Sequence, residues 1–402
     1  MGAKVYRARW LIPASGPAIG DGALVAAGGR IVRVDRWSAL KAHVGGDDAV
    51  EHFPDGALLP GFVNTHTHLA LSDMAGRFRP TANFTAWIGR LTARLWVRGR
   101  EAARKAVRLG VEQSLAAGSV AVADMAHDPT CDIPADEARG RWTLFRELFR
   151  FGPAAVRRVE KAAAALEQRP ESDTVRPGLA PHAPYTAGVE VYLAARQMAD
   201  ARGWPLTTHL HETLDEIAFT ERGEGTFHAW MSRLEILPRD WRPAGVRPIR
   251  MLADAGFFSG PVLAAHANYL TDDDIAVLAA SGSSVAFCPR SHAFFKHADH
   301  PWRRLMAAGV NVCLGTDSLA SSPSLSVLEE ARFLFAQGGA DPRVLLDMAT
   351  RRGARALGLE NEVGDLRPGL SAALCVVRPL DESAPPCEAI LGGGALPCPL
   401  GV

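Results

Sequence analysis

The rhythm of hydrophobic and polar positions changes twice along the chain. Residues 5–12, 22–27 and 30–34 alternate apolar and polar side chains and are separated by Gly and Pro turns, which predicts three short strands. No helix of normal length is expected before residue 36. From residue 58 the pattern becomes short apolar runs, each followed by a longer amphipathic stretch. The runs 62–66, 119–125, 142–149, 175–180, 206–211, 262–266, 284–288 and 311–315 predict strands. The stretches 100–116, 154–166, 189–201 and 272–280 predict helices between them. Eight strand–helix units in a row predict an α/β fold with the parallel sheet curled into a TIM-type (β/α)8 barrel. Residues 221–260 are longer than a connector and hold Trp230, Trp241 and several prolines, so an active-site insertion with some helix of its own is expected. After residue 357 the pattern returns to turns and short strands, with 364–369 a turn and 373–377 a strand. The two strand-rich ends are expected to pair into a small β-sandwich. The expected division is 1–57 and 358–402 for the two parts of the sandwich and 58–357 for the barrel.

Composition narrows the picture without changing it. With 402 residues and 48% hydrophobic content the chain can bury a large core, and barrels of this length run as single domains. The 44 basic and 44 acidic residues balance, and no block of like charge stands out, which argues against nucleic-acid or membrane-surface partners. The six cysteines form no C-x-x-C pair and no dense framework, which predicts a reducing, cytoplasmic setting rather than a disulfide scaffold. Residues 1–10 show no leader-like apolar core, and no apolar run is long enough to span a bilayer.

Chemistry concentrates at the ends of the expected barrel strands. His66 and His68, in P-G-F-V-N-T-H-T-H, are two apart, so on an extended strand both rings face one way, as a pair of metal ligands requires. His209 and His211 repeat that spacing in T-H-L-H-E, with Glu212 next. Each residue also has an ordinary explanation. Glu212 could start a helix, His266 could be a satisfied core histidine, and Asp317, in G-T-D-S, could cap the following helix. What separates the readings is position: His66, His68, His182, His209, His266 and Asp317 all fall at C-terminal strand ends, where barrels of this type build their active sites. Imidazoles plus one carboxylate suit a borderline divalent ion.

Together P-G-F-V-N-T-H-T-H, the H-x-x-E of His209 and Glu212, the lone His266 and G-T-D-S resemble the amidohydrolase superfamily over essentially the whole chain. Pro181-His182-Ala183-Pro184-Tyr185 resembles the strand-four motif of the branch containing adenosine-type, guanine and S-adenosylhomocysteine deaminases and triazine chlorohydrolases. That branch uses one metal ion, and no lysine stands on strand four to bridge a second. The resemblance implies that His66, His68, His209 and Asp317 hold one divalent ion, zinc first, with iron or manganese as alternatives. It implies that Glu212, His266 and Asp317 are catalytic and that His182 and Glu212 touch the substrate. It also implies a small-molecule substrate and a homodimer.

For the substrate itself, Trp87 with Phe78 and Phe84 could stack on a flat ring, although aromatics at this spacing are commonly core. Arg146 and Arg150 could grip a carboxylate or be solvated surface charges. His292 stands in the histidine- and phenylalanine-rich stretch 290–300, read as a substrate-side loop. Cys288-Pro289-Arg290-Ser291-His292 resembles the corresponding segment of aminodeoxyfutalosine deaminases, whose substrate combines a purine with a distal carboxylate. Guanine, adenosine or S-adenosylhomocysteine deamination, triazine-type chlorohydrolysis, amide hydrolysis and a non-catalytic barrel scaffold are the alternatives.

Overall fold

The computed structural model describes residues 2–134, 138–169, 172–381 and 383–400. The outermost positions of the expected end segments, 1, 401 and 402, lie outside the described residues. Strands β1 (Lys4–Leu11), β2 (Ile19–Ala27) and β3 (Arg30–Arg36) appear as the alternation predicts, followed by a one-turn helix α1 (Trp37–Leu40). A fourth strand, β4 (Ala49–Pro60), was not foreseen. Residues 49–55 are mostly exposed, carry Pro54 and lack the alternation that marks a strand, whereas 56–60 are buried.

The eight expected barrel strands all form. They are β5 (Phe62–Thr67), β6 (Ser119–Ala126), β7 (Arg141–Leu148), β8 (Val175–Pro181), β9 (Thr207–Leu210), β10 (Leu263–His266), β11 (Ser284–Phe287) and β12 (Asn311–Leu314). Helices α2 (Phe84–Val97) and α3 (Arg100–Ala116) follow β5, α4 (Pro153–Glu167) follows β7 and α5 (Val189–Arg202) follows β8. The insertion after β9 carries α6 (Leu214–Arg222), α7 (Gly225–Arg233) and α8 (Pro248–Asp254). Helices α9 (Asp272–Ala280), α10 (Pro289–Phe294), α11 (Trp302–Ala307) and α12 (Val327–Ala336) complete the units used below. Strands β13 (Leu374–Val377) and β14 (Cys398–Leu400) end the described chain.

Two four-stranded parallel sheets, ordered β5-β6-β7-β8 and β12-β11-β10-β9, form the centre. Their edges approach on both sides, through isolated bridges of Leu179 in β8 with Leu206 just before β9 and of Thr67 in β5 with Asp317 just beyond β12. This is a TIM-barrel-type α/β arrangement. Small buried residues, among them Ala121, Ala123, Ala286 and Cys313, pack with Val63, Phe145 and Leu263 inside it. The aliphatic faces of the surrounding helices pack on the outside. Gly315 lets β12 approach β5: a Cβ there would stand 2.9 Å from His66 Cβ and 3.0 Å from the His66 backbone nitrogen.

The chain ends pair as expected, in one six-stranded sheet ordered β14-β13-β4-β1-β2-β3. Tyr6, Leu24, Ile31, Leu58, Leu366 and Val376 fill its core. The described strands of the two ends belong to this one sheet, so the facing layer of a sandwich is not among them. No helix of the described residues is long and apolar enough to cross a membrane.

Candidate metal centre

At the C-terminal ends of β9, β10 and β12 the backbone turns sharply. His211, His266, Ala267 and Asp317 take φ values of 51°, 69°, 54° and 56°, a left-handed conformation that non-glycine residues adopt at a cost. With His66 and His68 at the end of β5, these turns bring four imidazoles and a carboxylate together. The His66 ring lies 5.1 Å from that of His68, 4.9 Å from that of His209 and 5.1 Å from that of His266. His66 is fully buried, and neither of its ring nitrogens has a hydrogen-bond partner among the described residues. His209 Nε2 is 3.3 Å from His68 Nε2. Because His209 Nδ1 meets the His182 carbonyl at 2.9 Å, Nδ1 carries the ring proton and Nε2 turns a lone pair inward. Asp317 Oδ1 lies 3.7 Å from His68 Nε2, while Oδ2 accepts hydrogen bonds from Ser291 at 2.6 Å and Ser321 at 2.7 Å. Burial, then the neighbouring rings of His209 and His68, holds His66 well below the usual imidazole range. Burial and His68 lower His209 in the same way. Neutral rings with orphaned, converging nitrogens are what a divalent ion needs. The atoms of His66, His209 and His266, and of His66, His68 and Asp317, each lie within 4.8 Å of one another. The donor set fits one ion.

Beside this cluster, Glu212 Oε1 stands 3.5 Å from His266 Nε2 and Glu212 Oε2 accepts a hydrogen bond from the Tyr185 hydroxyl at 3.4 Å. Glu216 at the start of α6 fixes the turn, accepting from the backbone nitrogens of His211 and Glu212 at 2.8 Å each. Asn268 Nδ2 donates to the Glu212 carbonyl at 2.9 Å. Burial, then Asp317 and Glu216, raises the Glu212 carboxyl well above the usual carboxylate range, which favours its protonated form. Burial first, and the ring of His209 next, keeps His266 neutral.

Residues 57–393 match the model of the amidohydrolase family. The chain belongs to the amidohydrolase family. It is 30% identical over 392 residues to a 5-methylthioadenosine/S-adenosylhomocysteine deaminase of Moorella thermoacetica, covering 94% of this chain and 86% of that one. It is 32% identical over 329 residues to an aminodeoxyfutalosine deaminase of Deinococcus radiodurans, covering 77% of this chain and 75% of the relative. The solved structure of an adenosine deaminase from Xanthomonas campestris with bound zinc superposes with a TM-score of 0.82 at 23% identity, covering 98% of this chain and 89% of that one, and supports the fold. As a member of the family, the protein is a hydrolase acting on carbon–nitrogen bonds.

Within this amidohydrolase the other expected site residues are not equally close to the cluster. His182 is at the rim: its ring lies 4.7 Å from that of His209, and its Nδ1 meets Thr186 Oγ1 at 2.6 Å. His211 turns away from His209, contrary to the shared face that an extended H-x-H predicts. The left-handed turn at His211 buries its ring against the Tyr269 carbonyl and the Ile249 backbone nitrogen instead. Trp87 is buried in an aromatic cluster, edge-on to Phe295 at 4.9 Å and beside Phe84. Arg146 and Arg150 do not form a pair. Arg146 is buried and bonded to Asp132, which also binds Arg169, whereas Arg150 is exposed. His292 lies in α10 near His297 and His300, with ring separations of 5.3 and 5.7 Å. His300 Nε2 meets the His266 carbonyl at 2.7 Å.

The sequence reading passed over four groups here: Tyr185, His127, Glu147 and Asp124. Tyr185 stood inside a quoted motif, but its hydroxyl could be placed only in three dimensions. Glu147 sits between two arginines that drew the reading toward an anion site. The alternation of β7 sends Glu147 and Arg146 to opposite faces. Burial alone would raise the Glu147 carboxyl, but His127 and then His182 hold it well below the usual range.

Proposed function

We propose that this amidohydrolase is a metal-dependent hydrolytic deaminase that replaces an amino group on a purine-type ring with oxygen, and that its substrate is a nucleoside, with aminodeoxyfutalosine the leading candidate. The observation that carries this reading is the placement of Glu212: a buried carboxyl 3.5 Å from His266, beside four converging imidazoles and Asp317. The names of the two relatives, a 5-methylthioadenosine/S-adenosylhomocysteine deaminase and an aminodeoxyfutalosine deaminase, support it.

His66, His68, His209 and Asp317 would hold the divalent ion, most simply zinc, with iron or manganese fitting the same donors. Such an ion supplies a water acidic enough to react near pH 7. Asp317 has one oxygen fixed by Ser291 and Ser321, which leaves Oδ1 to take a proton from the attacking water. His266, neutral and held through its carbonyl by His300, orients that water. Glu212 donates its proton to the ring nitrogen next to the carbon under attack, so no negative charge accumulates there; Asp317 then passes the proton it took from water to the amine, which leaves as ammonia, and Glu212 takes up the proton of the newly attached hydroxyl as the carbonyl forms. His182 borders the substrate on the β8 side. In this reading the fold divides into the (β/α)8 barrel, 58–357, and the strand-rich segments 1–57 and 358–402. Six free cysteines suit the cytoplasm, and a homodimer is the assembly we expect.

Ammonia release from aminodeoxyfutalosine, 5-methylthioadenosine, S-adenosylhomocysteine, adenosine and guanine, with zinc added and a chelator as control, tests the proposal. Release from a nucleoside that the chelator abolishes is expected. Fully metallated protein that deaminates nothing in the panel would discard the reading, and a preference for guanine would discard the nucleoside assignment.

A further inference from the structure

Glu147 is unaccounted for by this chemistry. Its side chain is 5% exposed, at the end of β7, and Oε1 is buried without a hydrogen-bond partner among the described residues. His182 Nε2 faces Oε1 at 3.7 Å and His127 Nδ1 faces Oε2 at 3.7 Å, both beyond hydrogen-bond reach. The Phe149 ring packs beside both imidazoles, 4.9 Å from that of His127 and 4.6 Å from that of His182. A desolvated carboxylate oxygen without a donor is costly, and a ligand that brings a donor removes the cost.

A second metal ion is a poor candidate for that donor. Among the described residues, the three-ligand group that includes Glu147 is the one with His68 and His209, whose Nε2 atoms already face each other 3.3 Å apart in the first cluster. His209 has no second nitrogen to offer, since its Nδ1 is bonded to the His182 carbonyl. A substrate anion fits no better. Arg146, the nearest arginine along β7, is committed to Asp132 on the far side of the strand, and the Glu147 charge repels a carboxylate.

We propose that Glu147 accepts hydrogen bonds from the sugar hydroxyls of the substrate, so that the rim beside His182 recognises a donor-bearing ribose and not a carboxylate. This rests on the nucleoside reading above. Glu147 lies two strands along from β9, which leads into Glu212, so a ribose held here projects the attached ring toward the Glu212 side of the rim.

The test is calorimetric titration of zinc-loaded Glu212→Gln protein, in which turnover is expected to be slow enough to read binding, with and without Glu147→Gln. The ligands are adenosine, 2′,3′-dideoxyadenosine, 3′-amino-3′-deoxyadenosine and adenosine 5′-carboxylate. Removing a charge-assisted hydrogen bond is expected to weaken adenosine binding about tenfold or more, to leave dideoxyadenosine unchanged and to leave the zinc content unchanged. Glu147→Asp, which keeps the charge with a shorter reach, is expected to show the same selectivity in smaller measure and serves if the Gln variant does not fold. Retained adenosine affinity with loss confined to the 3′-amino ligand would assign Glu147 to an ammonium and overturn the hydroxyl assignment. Equal losses for adenosine and its dideoxy form, loss of zinc, tighter binding of the 5′-carboxylate than of adenosine, or binding of none of the four would also overturn it. Failure of the deaminase reading shows separately, as absence of ammonia from protein with Glu212 intact that still binds nucleoside selectively.

Discussion

Glu212 can deliver a proton only if it holds one, and its burial beside Asp317 and Glu216 pushes its carboxyl toward the protonated form. Replacing it with Gln keeps the volume and removes the proton. The expected outcome is a kcat about 10²–10⁴-fold lower with zinc content unchanged, read by steady-state ammonia release and elemental analysis. Asp124 makes a second residue-level case. It is fully buried, accepts one hydrogen bond from the Leu69 backbone at 2.8 Å and has no partner for Oδ2 among the described residues. Burial raises it from 3.8 to about 8. An acid whose folded value lies above its unfolded one binds its proton more tightly when folded. Its stabilising contribution is therefore complete below about pH 4 and declines up to about pH 8. Asp124→Asn should flatten that slope, as measured by urea midpoints across the same pH window; an unchanged slope would contradict the assignment. His66, His68, His209 and Asp317 were legible in the sequence because histidines and a carboxylate at successive strand ends have few ordinary explanations in common. Glu147 was not, because the imidazoles that face it, His127 and His182, follow two other strands, β6 and β8.

At the scale of the element, the short barrel strands were readable because each is an apolar run set between helical periodicities. The element missed outright, β4, hides its buried half behind an exposed polar half. The aromatic segment read as a substrate surface is the first turn and core face of α2, where Phe84 and Trp87 pack inward. Their spacing of three residues serves helix packing as well as it would serve ring stacking. The ends of β5 and β12 illustrate how strand packing sets the centre. Gly315→Ala would drive a methyl into the His66 backbone. A loss of about 1–3 kcal/mol in folding stability is expected, together with weaker zinc binding as His66 is displaced. Denaturant titration and a competitive zinc assay check both, and unchanged zinc affinity would show that His66 tolerates the shift.

The whole molecule carries the cost of this arrangement when no ion is bound: converging lone pairs, left-handed turns and a dry carboxylate are all ordered by the surrounding fold. Binding an ion to the folded state alone should add about 4 kcal/mol at a thousandfold excess over Kd. Thermal unfolding of chelated and zinc-loaded protein should therefore give a higher Tm for the loaded form, rising with zinc concentration. Identical curves would mean that the cluster does not bind zinc. The overall plan was legible because chain ends rich in strands and a middle rich in strand–helix units leave few architectures open. Whether the ends made one sheet or two was not, since that depends on pairings such as Leu374 with Pro60.

That pairing has a consequence for biosynthesis. Strand β4 lies between β1 and β13, so one of its edges is completed by a segment made about 300 residues later. At ~5–20 residues per second the nascent N-terminal strands wait roughly 15–60 s with an open edge. An unsealed edge invites pairing with another nascent chain. Slowed elongation should therefore lower the soluble yield of this protein more than that of a barrel whose sheets are completed from neighbouring sequence.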